Sequence, residues 1–238
     1  MSQVSNLELC NLAYGGHEPL LNTRLEEEPN LVDKQDNGGR TALHWASCTN
    51  NVDIAKLLIA KFNAKVNVKD DMGWGRFFQP FFLTPLHCAV SAGSDEITEI
   101  LLAAGSGVNA RTVNCQVPLH YVASKNHTHI LPMLLSRGAE PDAQDKYGHS
   151  PLHRAASKGY DKVIEMMIQY NPMIDVRDNL GNTPLHMACE EDRLSTAFFL
   201  LEIGADPTIT NTEEKTAFQL CSDSLRAKLV KKKSRRSA

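Results

Sequence analysis

Ser150-Pro151-Leu152-His153 decides how this chain is read, because the same phrase returns along it at a fixed interval. It stands as Thr84-Pro85-Leu86-His87, Val117-Pro118-Leu119-His120 and Thr183-Pro184-Leu185-His186, and more loosely as Thr41-Ala42-Leu43-His44. From His87 the histidines fall 33 residues apart, at 120, 153 and 186, and the next step lands on Gln219 of Thr216-Ala217-Phe218-Gln219. One step of 33 back from His44 lands on Asn11, inside Cys10-Asn11-Leu12-Ala13. Self-similarity at such a period means small units that bury their apolar faces on one another. The count is seven, with degenerate first and last copies acting as caps.

Each letter of the phrase has a physical task. Thr or Ser accepts an orphan backbone N–H at the start of a helix. Proline follows where its missing donor costs nothing. Leucine faces the core, and small residues after the histidine (Ala46, Ala89, Ala155, Ala156, Ala188) let neighbouring helices approach. Gly93 and Gly159 end these short helices. A second helix carries Leu57-Leu58, Leu101-Leu102, Leu134-Leu135 and Leu200-Leu201 as its buried stripe. Between units, Asp70-Asp71-Met72-Gly73, Asp145-Lys146-Tyr147-Gly148 and Asp178-Asn179-Leu180-Gly181 read as turns that need a positive φ at glycine. Thr112 and Cys115, and again Asn211 and Glu214, replace the Asp and Gly of that pattern, so two turns are expected to be looser.

The period and the phrase resemble the ankyrin repeat family. That resemblance implies an all-α solenoid of seven helix-turn-helix repeats with projecting hairpin fingers. The register gives one repeat domain over 1–229, with repeats at about 8–40, 41–83, 84–116, 117–149, 150–182, 183–215 and 216–229. In this family the phrase histidine ties neighbouring loops together, so His44, His87, His120, His153 and His186 are expected to be structural.

A formal charge of -3 is too small to make nucleic acid or membrane the main partner. The start lacks a basic stretch followed by an apolar run, and no segment approaches a membrane span, so an intracellular protein is expected. Six scattered cysteines without a Cys-x-x-Cys pair read as small buried hydrophobes in a reducing compartment. Nine histidines invite a metal or catalytic reading, but five belong to the phrase. Successive repeats lie roughly 8–10 Å apart, too far for that row to converge on one ion. With no phosphate loop, nucleophile elbow or carboxylate pair, the expectation is a monomeric protein-binding module: not an enzyme, and with no cofactor.

A partner is expected on the face built from the fingers and first helices. The register places Arg40 and Trp74 just before a phrase, Trp45, Tyr121 and Arg154 just after a histidine, and Lys125, Lys158 and Glu191 a turn further on. Tryptophan, tyrosine and arginine are the residues enriched in binding hot spots; the alternative for Trp45 and Trp74 is packing on neighbouring fingers. Arg40, Lys125, Arg154 and Lys158 make the first part basic, while Glu190, Glu191, Asp192, Glu213 and Glu214 make the end acidic. Such a gradient steers and registers a partner of opposite sense.

Finer details, among them Cys10-Asn11-Leu12-Ala13-Tyr14, Arg40-Thr41-Ala42-Leu43-His44-Trp45-Ala46, Lys69-Asp70-Asp71 and Ala123-Ser124-Lys125-Asn126, resemble the gankyrin-type proteasome regulatory subunits from about residue 3 to 220. That resemblance implies an assembly chaperone for the base of the 19S regulatory particle. Its client is the C-terminal domain of a proteasomal ATPase subunit, met by Arg40, Lys125, Trp45 and Trp74 and by the acidic C-terminal repeats. It also implies a cyclin-dependent kinase or a retinoblastoma-type protein as further partners, and a place in cytoplasm and nucleus. The retinoblastoma-binding pattern Leu-x-Cys-x-Glu stands here as Met187-Ala188-Cys189-Glu190-Glu191, without its leucine and on small core positions of a helix.

Two departures remain. The step from His44 to His87 is ten residues too long: one extra residue fits near Asn63-Ala64, and nine (75–83, rich in Phe) fall between Trp74 and Thr84. They read as a further client contact, a loop folded on its own stack, or a splice or gene-model artefact, and they allow Leu83 to take the place of Trp74. The basic run Lys231-Lys232-Lys233-Ser234-Arg235-Arg236, within 230–238, reads as a solvated tail or a nuclear-import signal.

Overall fold

The computed structural model describes residues 6–71, 82–224 and 226. Trp74, most of the 75–83 insertion and the basic tail lie outside the described residues. The chain forms two compact units, Met1–Val122 with Ser136–Ala139, and Ala123–Leu135 with Glu140–Ala238. Among the described residues the only β pairing is an isolated bridge, Thr210 to Thr216.

The first unit begins with α1 (Asn6–Gly15), α2 (Glu18–Glu27) and a 3-10 turn at Pro29–Leu31, followed by α3 (Ala42–Cys48) and α4 (Val52–Lys56). It continues with α5 (Pro85–Ala92), α6 (Asp95–Ala103) and the start of α7 (Pro118–Lys125). In this unit α1 packs on α3 and α3 on α5, while α4 packs on α6 behind them. The second unit holds most of α8 (Ile130–Ser136), then α9 (Pro151–Lys158), α10 (Asp161–Ile168), α11 (Pro184–Glu190), α12 (Leu194–Glu202) and α13 (Ala217–Leu220). Here α9, α11 and α13 form the first row, with α10 against α12 in the second.

The phrase builds the helix starts as its chemistry demands. Thr41, Thr84, Ser150 and Thr183 each form a capping box in which the fourth residue is histidine rather than glutamate. Gly93 and Gly159 close α5 and α9 in the left-handed conformation, both with φ 77°. Where glycine is absent, Asn50, Asn126 and Asp192 take the same conformation. The phrase leucines Leu86, Leu119, Leu152 and Leu185 are completely buried, as are Leu58, Leu101, Leu134, Met167 and Leu200 of the second helices.

The two halves of the ten-residue excess have separate structural solutions. A left-handed residue follows each second helix from α4 to α12: Asn63, Gly105, Gly138, Asn171 and Gly204. It lies 18 residues after the phrase histidine in every repeat but one, and 19 after His44. Sequence spacing places this extra residue near Asn63-Ala64. Instead the second helix absorbs it, running on from α4 as a π-helical turn at Leu57–Lys61. The closing bond confirms the bulge: Ala64 N–H reaches back six residues to Leu58 O, whereas Ser106 and Ala205 reach back five, to Leu101 and Leu200. The other nine residues leave the finger closed at its base, where Asp70 N–H donates to Leu83 O at 2.8 Å and Leu83 N–H to Asp70 Oδ1 at 2.7 Å. Leu83, not Trp74, therefore occupies the position before the phrase.

Candidate partner-binding surface

Apart from the one that closes between Asp70 and Leu83, each finger is a five-residue loop locked by its first side chain. The N–H of Asp36, Asp145 and Asp178 donates to the carbonyl four residues on, at 2.8, 3.0 and 2.9 Å. Their Oδ1 atoms accept two N–H groups of the loop, as in Tyr147 and His149 on Asp145, at 2.8 and 3.0 Å. Thr112 and Asn211 close their loops in the same way, with Thr112 Oγ1 accepting from Gln116 N at 3.1 Å and Asn211 Oδ1 from Lys215 N at 3.1 Å. Cys115 and Glu214 adopt φ 58° where other fingers use glycine. The two turns expected to be looser thus close with the same backbone bond as the others, at 3.0 Å each.

Three rows of side chains staple one finger to the next. The phrase histidine makes the first. His44 Nδ1 accepts the N–H of Thr41 at 3.1 Å, which leaves Nε2–H to donate to Leu83 O at 3.1 Å. His87, His153 and His186 repeat this on the carbonyls of Gln116, Asn182 and Lys215 at 3.4, 3.0 and 3.2 Å. Burial of the rings drives the pKa of His44, His87 and His153 down to about 4, even though the bonded carbonyls pull upward, and His186 is lowered for the same reason. The second row precedes each finger aspartate: Gln35 donates to Lys69 O at 3.2 Å, Gln144 to Arg177 O at 2.9 Å and Arg177 to Thr210 O at 2.5 Å. The third row is the residue just before the phrase. Arg40 Nε meets Asp70 Oδ2 at 3.0 Å, His149 Nε2 meets Asp178 Oδ2 at 3.3 Å, and Asn211 Nδ2 donates to Asn182 Oδ1 at 2.9 Å.

Several residues expected to meet a partner have neighbours of their own within the fold. Arg40 does not present a cation to a partner: its side chain is 7% exposed and paired with the fully buried carboxylate of Asp70. Burial raises the Asp70 carboxyl, against the pull of Arg40. Trp45 is half-buried, donating Nε1–H to Asp36 at 2.7 Å, with Tyr14 edge-on at 5.5 Å and the Arg40 guanidinium 4.8 Å above its ring. Arg154, half-buried, reaches back to Asp145 at 2.5 Å. Burial alone would raise the Asp145 carboxyl, but Arg154 and the loop N–H groups hold it below its usual range. Tyr121 lies edge-on to His87 at 5.7 Å.

Exposed on the second unit are Lys125, Lys158, Glu190 and Glu191. Lys125, Lys158 and Glu190 end α7, α9 and α11, and Glu191 follows at the C-cap. Residues 125, 158 and 191 are one period apart, so they form a single row along successive repeats. By contrast, Ala188 and Cys189 are completely buried in α11. The finger aspartates and the long-chain donors before them were not singled out from sequence as binding elements. Their signal was present in the register, where Gln35, Lys69, Arg111, Gln144 and Arg177 each precede a finger's first residue.

A stack of capped helix pairs with stapled fingers defines a repeat protein that works by presenting a surface to another protein. The chain belongs to the ankyrin repeat family: residues 76–145 and 119–211 match "Ankyrin repeats (3 copies)", and residues 38–71 match "Ankyrin repeat". It is 44% identical over 71 residues to the 26S proteasome non-ATPase regulatory subunit 10 of Mus musculus, covering 30% of each chain. The Homo sapiens protein of that name is likewise 44% identical over 71 residues, covering 31% of its length. A further relative is the RelA-associated inhibitor of Mus musculus, 36% identical over 88 residues, or 10% of that protein. The matched stretch thus spans about a third or less of these curated relatives. Among solved structures, the human ASB11 ankyrin repeat domain superposes with a TM-score of 0.81 at 23% identity, over 93% of this chain and 96% of that one. No helix among the described residues is long and apolar enough to cross a membrane.

Proposed function

We propose that the chain is an assembly chaperone for the base of the 19S proteasome regulatory particle. It is read as a single gankyrin-type array of seven repeats, holding the C-terminal domain of a proteasomal ATPase subunit. The observation that carries this reading is the exposed row Lys125, Lys158, Glu190 and Glu191 at the ends of α7, α9 and α11. A lysine at a helix C-terminus is favoured by the backbone dipole. Carboxylates there oppose it by roughly 0.3–1 kcal/mol at the surface. Glu190 therefore opposes the dipole of α11, and Glu191 lies 3.8 Å from Arg193 at the surface; recognition of a basic patch accounts for two carboxylates at this end. The lysines take the client's acidic side chains and the glutamates its basic ones, which fixes register along the row. The similarity to proteasome subunit 10 supports the choice of client.

Buried Arg40 and half-buried Trp45 and Arg154 hold the fingers in place for this surface rather than forming its energetic centre. The protein acts as a monomer in cytoplasm and nucleus, and binds neither nucleotide nor cofactor. The second reading is an adaptor that regulates a cyclin-dependent kinase or a retinoblastoma-type protein. Burial of Ala188 and Cys189 disfavours its linear-motif form, since reading residues 187–191 as an extended strand means unwinding α11. Such an adaptor would have to use the charged row. Affinity purification of the full chain with mass spectrometry separates the two. Proteasomal ATPase subunits should be recovered with wild type and lost with Lys125→Glu/Lys158→Glu. Recovery of a kinase without any ATPase would overturn the chaperone reading.

A further inference from the structure

A cleft of about 520 Å³ opens between α10 and α12, on helices that the charged row does not use. Asp161, Lys162 and Glu165 form one wall, and Ser195, Phe198, Phe199 and Glu202 the other. Asp161 accepts hydrogen bonds from the Ser195 hydroxyl at 2.5 Å and from Thr196, while Lys162 turns onto Glu165 at 2.9 Å. Three carboxylates against one ammonium leave the cleft negative. Two half-buried phenylalanine rings lie beside them. Carboxylates next to phenyl groups suit a lysine or arginine side chain, whose stem lies on the ring while its cation meets the acid and the ring face.

The chain carries a segment with that chemistry. Residues 231–236 read Lys-Lys-Lys-Ser-Arg-Arg, five cations in six residues. Arg226 sets its point of departure, because its guanidinium is tied to the carbonyls of Phe218, Gln219 and Cys221 at 2.8, 3.3 and 3.1 Å, at the end of α13. From Arg226, Lys231 can lie up to about 17 Å away and Arg236 about 33 Å, at an extended reach of roughly 3.3 Å per residue. In this unit α13 packs on α11 and α11 on α12, so the cleft lies about two helix spacings of roughly 8–10 Å from the root of the run, within its reach. A short tether also holds it at an effective concentration in the millimolar range, enough to fill a weak site.

We propose that the cleft between α10 and α12 docks the chain's own basic segment, Lys231–Arg236, and so withholds those cations from external acceptors. The contact is electrostatic and opens with salt or with a competing anion. It goes beyond the chaperone reading and does not depend on it, since its test needs no client.

Limited trypsin digestion of the full chain, followed by mass spectrometry of the C-terminal fragments, reads the docking directly. At low salt, the bonds after Lys231 to Arg236 should be cut at least fivefold more slowly than in a free peptide of the same sequence. The Glu165→Gln/Glu202→Gln variant should be cut at the peptide's rate, with its urea midpoint checked alongside. Wild type in about 0.5 M NaCl should match the peptide as well, because screening there acts within a few ångströms, and this arm needs no variant to fold. Wild-type cleavage at the peptide's rate at low salt would overturn the proposal. So would protection that survives in a folded double variant, and protection that rises with protein concentration would assign the cleft to a second copy's tail instead.

Discussion

Burial gives Arg40 a task different from the one its sequence position suggests. Its guanidinium is the partner of a carboxylate with no exposure of its own, so Arg40→Met strands the Asp70 charge. Breaking a buried pair in this way costs about 3–5 kcal/mol. A urea titration should show that loss, and a midpoint within error of wild type would refute the assignment. Gly148 offers a second test. Its φ is 80°, and a Cβ there would come within 2.6 Å of the backbone nitrogen of Asn179 in the next finger. Gly148→Ala should therefore destabilise by about 2 kcal/mol or more, combining left-handed strain with a backbone clash. Glu214, already at φ 58°, should accept glycine with a change within about 1 kcal/mol. Urea midpoints of the two variants give the comparison.

At the scale of the element, the second helix of the repeat that begins at Thr41 is the informative one. An extra residue in an α-helix rotates everything after it by about 100°, which would take Leu58 or the closing loop out of register. The π-turn at Leu57–Lys61 confines that rotation to one turn. Deleting exposed Ala60 should convert the bulge to regular helix and leave the protein folded, by circular dichroism and thermal melting. Deleting exposed Glu99 in the middle of α6, which has no bulge to absorb the change, should abolish cooperative melting. If the Ala60 deletion unfolded the chain, the bulge would not be the site of the extra residue. Sequence spacing reveals that one residue is surplus near Asn63-Ala64, and the structure takes it up just before, at Leu57–Lys61, because a π-turn carries no residue signature. The phrase, by contrast, showed the caps, the buried leucines and the glycine stops directly, since each depends on local backbone chemistry. The fate of Arg40 was hidden because its partner Asp70 lies one finger further along the stack, whereas Trp45 and Arg154 bond the aspartate nine residues before them, a spacing that the register did contain. Trp74 lost its place through the insertion, which the thirteen-residue step from Asp70 to Leu83 resolves.

Across the whole molecule the repeated histidines make stability a function of pH. The unfolded chain protonates these rings near 6.5, while His44, His87 and His153 in the folded chain do so only near 4. Between those values the unfolded state binds more protons. The contribution is therefore complete above pH 6.5 and disappears as pH falls toward 4, with up to about 3 kcal/mol at stake per ring. Urea midpoints measured from pH 7.5 to 4.5 should fall steadily below 6.5, and a flat profile would contradict the burial of neutral rings. Function is argued at this scale too, from charges that the stapled fingers leave exposed. The most direct test is a calorimetric titration of the full chain with the purified C-terminal domains of the proteasomal ATPase subunits, wild type against Lys125→Glu/Lys158→Glu. Wild type should bind one domain saturably, and the variant, with an unchanged urea midpoint, at least tenfold more weakly. Equal binding by both proteins, or no binding of any ATPase domain by wild type, would contradict the chaperone reading.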